Sequence, residues 1–191
     1  MIDWGVPVMK LNIPNTLSLT RILLIPLFLW KFLSADTQPD YTVSAAILAV
    51  SGLTDTVDGA IARRFNMITQ LGKILDPLAD KLTLASVIAA LWIKRPYLWW
   101  LCALLILKEV LMLLGGLRLH TRQVTIGGSK WFGKLATVMF YLIMIVIVAV
   151  PVLEDHTIAG LLFFLLLFML FAFLQYALLF RRLLTNMHHN E

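Results

Sequence analysis

Residues 161–174 read LLFFLLLFMLFAFL, a run without one charged or hydrogen-bonding side chain. In lipid, the backbone of such a run can satisfy its own amides and carbonyls only as a helix or as part of a closed barrel. Unbroken apolar runs lack the alternation of barrel strands, which leaves the helix. The runs ILLIPLFLW at 22–30 and LIMIVIVAV at 142–150 are likewise uncharged. Of the 191 residues, 60% are hydrophobic and 14% charged, whereas a soluble domain carries about a quarter charged residues. About twenty apolar residues cross a bilayer. The pattern therefore predicts an all-α polytopic membrane protein with six transmembrane helices, over 17–34, 40–64, 70–94, 96–118, 132–152 and 157–182. A short N-terminal interfacial helix is expected over 10–21, where Leu and Ile mix with polar residues. Residues 1–10 read as an N-terminal extension, 11–185 as a single membrane domain and 186–191 as a C-terminal tail. Met9 heads a stretch that would make a natural start.

The connections alternate in charge. SADTQPD and LEDHT are acidic, while ARRFNMITQLGK, RLHTRQVTIGGSKWFGK and FRRLLTNMHHNE are basic. The positive-inside rule puts the basic loops and both termini in the cytoplasm, in the cell's inner (cytoplasmic) membrane. The net charge of +5 is thereby accounted for by loops, and no nucleic-acid partner is expected. Lys94 and Arg95 break the pattern, because they fall on the predicted outer side. Cys102, the only cysteine, lies in an apolar run and reads as a buried thiol.

Four aspartates interrupt this apolar chain: Asp55 and Asp58 in SGLTDTVDGAIARR, Asp76 and Asp80 in LGKILDPLADK. The spacings of three and four put each pair on one helix face. The short turn between the helices predicts antiparallel neighbours with both acidic faces in one cytoplasmic cleft. Ionised carboxylates inside a span cost about 2.5–3.5 kcal/mol each on insertion scales and default to function. One reading is an ion-pair network with Arg63, Arg64, Lys73 and Lys81. A second is an oxygen-only cradle for hard divalent cations such as magnesium, manganese or calcium, suited to displacement at phosphorus. A third, a cation transporter lined by the aspartates, would spread them along a path through the bilayer. Gly59, Ala62 and Gly72 leave room beside the acidic faces, and Arg63 can meet a phosphate with its planar fork.

The spacing Asp55-x2-Asp58-Gly59-x2-Ala62-Arg63-x8-Gly72-x3-Asp76-x3-Asp80 resembles the signature of the CDP-alcohol phosphatidyltransferases at every defined position. The resemblance implies a six-span enzyme, a homodimer among membrane lipids, with two Mg2+ or Mn2+ ions per site. It implies Asp55, Asp58, Asp76 and Asp80 as metal ligands, with Asp80 also the catalytic base. Gly59, Ala62, Arg63 and Gly72 would belong to the CDP pocket.

NIPNTLSLTRILLIPLF at 12–28 and DPLADKL at 76–82 resemble bacterial phosphatidylglycerophosphate synthases. This implies Asn15 and Arg21 on the nucleotide side, CDP-diacylglycerol as donor and glycerol 3-phosphate as acceptor. Lys134 and Arg118 are the expected contacts to the acceptor phosphate. Two departures point elsewhere: Lys108-Glu109 stands where an Arg-acidic pair is common, and VMFY where a glutamine is common. The alternative is a cardiolipin synthase, with phosphatidylglycerol as acceptor.

Overall fold

The computed structural model describes residues 13–65, 72–121 and 131–188. Six long helices account for nearly all of them: α1 Ile13–Leu33, α2 Gln38–Arg64, α3 Gly72–Lys94, α4 Trp99–Thr121, α5 Trp131–Ala149 and α6 Asp155–His188. No strand occurs among the described residues.

Local chemistry sets the helix starts at the acidic end of the bundle. Asp40 accepts hydrogen bonds from the Thr37 backbone N–H (3.3 Å) and hydroxyl (2.6 Å), and Pro39 lies in the first turn of α2. A carboxylate there also faces the positive end of the helix dipole. Pro96 ends α3 and opens a single 3-10 turn, Pro96–Leu98, that leads into α4.

The helices close into a ring in which α1 packs on α2, α2 on α5, α5 on α6, α6 on α4, α4 on α3, and α3 back on α1. Its interior is apolar, with Leu48, Ile88, Leu105, Phe140, Leu162 and Leu165 each almost wholly buried. Cys102 belongs to this core. The outward face is also apolar: Leu23, Leu53, Trp30 and Ile93 are each more than 60% exposed. A ring with an oily outside is built for lipid. Among the described residues, four helical stretches are long and apolar enough to cross a membrane: Pro14–Leu33, Pro96–Gly115, Trp131–Ala149 and Asp155–Leu179. Helices α2 and α3 fall outside that group although they are long enough. Their aspartates, lysines and arginines lower their mean hydropathy.

Two expectations change. The expected interfacial helix over 10–21 is not a separate element: residues 13–21 are the first turns of α1, and residues 1–12 lie outside the described ones. Asn15, Ser18 and Arg21 are buried there rather than lying on a surface. Nor are α2 and α3 the close neighbours their short connection suggested. Among the described residues they make little direct contact, and α1 packs against both.

Lys94 and Arg95, the exceptions to the charge pattern, are latches. Lys94 Nζ donates to the Ala35 carbonyl (2.9 Å) between α1 and α2. Arg95 pairs with Asp155 (2.7 Å) and donates to the Pro151 carbonyl (3.0 Å) between α5 and α6. Together they tie three loops into one end of the ring.

Gly52 on α2 leaves room for the Tyr141 ring on α5. A Cβ there would stand 2.9–3.2 Å from Cδ1, Cγ and Cε1 of Tyr141. Gly52→Leu should therefore lower stability by about 1–3 kcal/mol through overpacking, read as a lower melting temperature of the detergent-solubilised protein.

Candidate active site

The first turns of α1 lie between the two acidic helices, and their polar residues recur every three positions: Asn15, Ser18, Arg21. All three are buried, Ser18 and Arg21 completely. Arg21 spreads its guanidinium across α2, with Nη1 paired to Asp55 Oδ1 and Nη2 to Asp58 Oδ2. Charge-assisted bonds from one rigid fork fix both carboxylates relative to each other. The Ser18 hydroxyl bonds to Asp76 Oδ1 on α3 and lies 3.4 Å from Asp58 Oδ2. One helix thus links three of the four aspartates.

Asp80 lies one turn beyond Asp76. Its Oδ1 is buried and has no hydrogen-bond partner, although Asp55, Lys81, Arg21 and Glu109 all lie within electrostatic range. Lys81, part of the alternative ion-pair reading, pairs with Glu109 on α4, which also pairs with the buried Lys108. Four aspartates and Glu109 therefore face three cations, Arg21, Lys81 and Lys108. Two formal negative charges remain among these eight side chains.

That residual charge and the unpartnered Asp80 oxygen fit a hard divalent cation, which prefers carboxylate donors. No group of three or more Asp, Glu, His or Cys side chains among the described residues stands at metal-binding distances. In the geometry described, Arg21 supplies the positive charge beside Asp55 and Asp58.

Gly59 is half-buried and Gly72 buried, at the ends of α2 and α3 that carry the aspartates. Lys134 is exposed in the first turn of α5. The side chains of Ala62, Arg63, Lys73 and Arg118 lie outside the described residues. Gly133 beside Lys134 has a packing role, since a Cβ there would clash with the Tyr176 hydroxyl. Further into the bundle, α1, α2 and α3 enclose a mainly apolar pocket lined by Leu24, Phe28, Leu48, Ser51, Thr83 and Val87, among others.

Two members of the site were not anticipated. Ser18 carried a faint signal, its step of three from both Asn15 and Arg21. Tyr141 on α5 carried none, yet its buried ring brings a phenol within electrostatic range of Asp80, Asp55 and Arg21.

The family model described as CDP-alcohol phosphatidyltransferase matches residues 11–180. A Streptomyces coelicolor protein named cardiolipin synthase (CMP-forming) is 40% identical over 114 residues, 58% of this chain and 53% of that protein. The chain thus aligns with about half of that relative's length. An Aquifex aeolicus protein named CDP-diacylglycerol–glycerol-3-phosphate 3-phosphatidyltransferase is 36% identical over 129 residues, 66% of this chain and 70% of its own. An Escherichia coli protein of the same name is 34% identical over 135 residues, 68% and 72% of the respective lengths.

Removing the charge of Glu109 strands two cations, one of them buried. Glu109→Gln should destabilise the protein by about 3 kcal/mol, the lower part of the range for breaking a buried ion pair because Lys81 is partly exposed. Thermal unfolding in detergent checks this.

Proposed function

The chain belongs to the CDP-alcohol phosphatidyltransferase family of enzymes, and from that premise we propose that it transfers a phosphatidyl group from CDP-diacylglycerol to glycerol 3-phosphate. The products are phosphatidylglycerophosphate and CMP. The observation that carries the reading is the gathering of the signature aspartates around one helix, with Asp80 left unpartnered. The acceptor comes from the names of the Aquifex and Escherichia relatives, each matched over about two thirds of this chain.

In this proposal Asp55, Asp58, Asp76 and Asp80 hold two divalent cations, Mg2+ or Mn2+. When bound, they neutralise the pyrophosphate and stabilise the departing CMP. Asp80 takes the proton from the acceptor hydroxyl, a role supported by its free oxygen. The hydroxyl oxygen attacks the phosphorus that bears the diacylglycerol, and the bond from that phosphorus to the CMP oxygen breaks. Arg21 holds Asp55 and Asp58 at a fixed spacing and, with Asn15, Gly59, Ala62, Arg63 and Gly72, forms the CDP pocket. Lys134 and Arg118 bind the acceptor phosphate, and the exposure of Lys134 suits a water-soluble acceptor.

The proposal includes all six helices as spans, with both termini and the site on the cytoplasmic side of the inner membrane, in a homodimer. The orientation gains support from Lys94 and Arg95. Their loop ties account for their presence on the outer side without a change of topology. The transporter reading falls with membership of an enzyme family.

Phosphatidylglycerol as acceptor is the second reading, favoured by the 40% identity to the Streptomyces protein. Purified enzyme with CDP-diacylglycerol and magnesium should release CMP with glycerol 3-phosphate and yield phosphatidylglycerophosphate by mass spectrometry. Chelation with EDTA should stop the release. Cardiolipin formed only from phosphatidylglycerol would replace the first reading with the second, and no CMP release with either would refute both.

A further inference from the structure

Between α3 and α4 stands a second charged group, Lys81, Glu109 and Lys108, to which the proposed chemistry assigns no part. Glu109 gives one oxygen to each lysine: Oε2 pairs with Lys81, and Oε1 accepts from Lys108 Nζ at 2.5 Å. Among the described residues no hydrogen bond or ion pair joins this group to the four aspartates or Arg21. Two ammonium groups against one carboxylate leave it one formal positive charge in excess. Lys108 shares a face of α4 with Leu101 and Leu105, both fully buried, and is itself 7% exposed. Its side chain therefore points into the ring rather than to lipid. An ammonium carries three donors, and a buried one that meets a single shared carboxylate is poorly satisfied. The Lys81 side chain is 35% exposed, against 11% for Glu109, so the group is closed at Lys108 and open at Lys81. Lys81 follows Asp80 directly, one helical rise of about 1.5 Å along α3. Arg118 lies ten residues beyond Lys108 on α4, about 15 Å away along the axis.

We propose that Lys108 and Lys81 form an anion subsite that seats the phosphate of the acceptor alcohol beside the reacting centre. This rests on the phosphatidyltransferase reading and deepens it: Lys134 and Arg118 meet the acceptor on entry, and Lys108 and Lys81 fix it for reaction. Phosphate oxygens take the N–H donors that Glu109 leaves and meet the excess positive charge. Glu109 holds the two ammonium groups together while no phosphate is bound. The ligand chemistry is a glycerol phosphate, either free glycerol 3-phosphate or the headgroup of phosphatidylglycerol. Both carry a phosphate a few bonds from a primary hydroxyl.

The test is Lys108→Met in the purified full chain with magnesium. Methionine keeps the volume and leaves Lys81 and Glu109 as a balanced pair. The first readout is the melting temperature as glycerol 3-phosphate, or phosphatidylglycerol in mixed micelles, is added without CDP-diacylglycerol. The acceptor that binds should raise it in the wild type and not in Lys108→Met at the same concentration, which also identifies the source of the phosphate. The second readout is kinetic. The KM for that acceptor should rise about tenfold, the loss of one hydrogen bond between charged groups, while the KM for CDP-diacylglycerol stays at the wild-type value. An acceptor KM equal to wild type overturns the proposal. So does an equal rise in both KM values, which would mark Lys108 as a packing residue. If Lys108→Met does not fold, Lys81→Met at the open end carries the same expectation and the same refutation. Stabilisation by the acceptor that is lost in Lys108→Met, in a protein that releases no CMP, refutes the transferase reading and leaves the subsite standing. CMP release with an unaltered acceptor KM refutes the subsite alone.

Discussion

The buried polar centre of this structure is organised around the contact between Arg21 and the pair Asp55 and Asp58. An arginine buried completely inside a ring of apolar helices is tolerable only if its charge is met at close range. The two carboxylates meet it, and in return are held side by side on α2 by one planar group. The cost of burying any of the three alone exceeds what the surrounding leucines and phenylalanines provide. The first turns of α1, the acidic face of α2 and, through Ser18, the face of α3 therefore form one unit.

That unit explains the shape of the ring. Helix α1 is the element common to both acidic helices, so α2 and α3 need not pack directly, and the chain can send α2 toward α5 and α3 toward α4. The opposite end is closed differently, by ties from Lys94, Arg95 and Gln38 to backbone carbonyls and Asp155. One end is thus latched through loops, while the other gathers charge around a helix. The Lys81–Glu109–Lys108 group completes the division. It ties Lys81 and Lys108 to Glu109, and among the described residues the buried Asp80 Oδ1 has no hydrogen-bond partner.

Much of this was legible in the sequence. Uncharged runs announced the helices because lipid permits few other backbone arrangements, and the signature spacing announced the aspartates. Contacts between helices distant in sequence were harder to read. The spacing of Asp55 and Asp58 shows that they share a face but not that their counterion comes from Arg21 on the preceding helix, 34 and 37 residues earlier. The polar residues of 10–21 resembled an amphipathic surface segment because a stripe of Asn, Ser and Arg looks alike whether it meets water or buried carboxylates. Tyr141 was invisible because its position depends on the absence of a side chain at Gly52, about ninety residues earlier in the chain. Acceptor choice depends on Lys134, Arg118 and whatever surrounds them, and loop charge alone predicts basic residues there.

We propose that these aspartates form a cradle for divalent cations rather than a closed ion-pair network. Electron paramagnetic resonance of manganese titrated into the purified protein measures this most directly. Two ions should bind per chain, close enough to couple magnetically, with binding lost when Asp58 and Asp76 are both changed to Asn. Manganese that stays free in solution at every concentration, with Arg21 alone balancing the carboxylates, would contradict it.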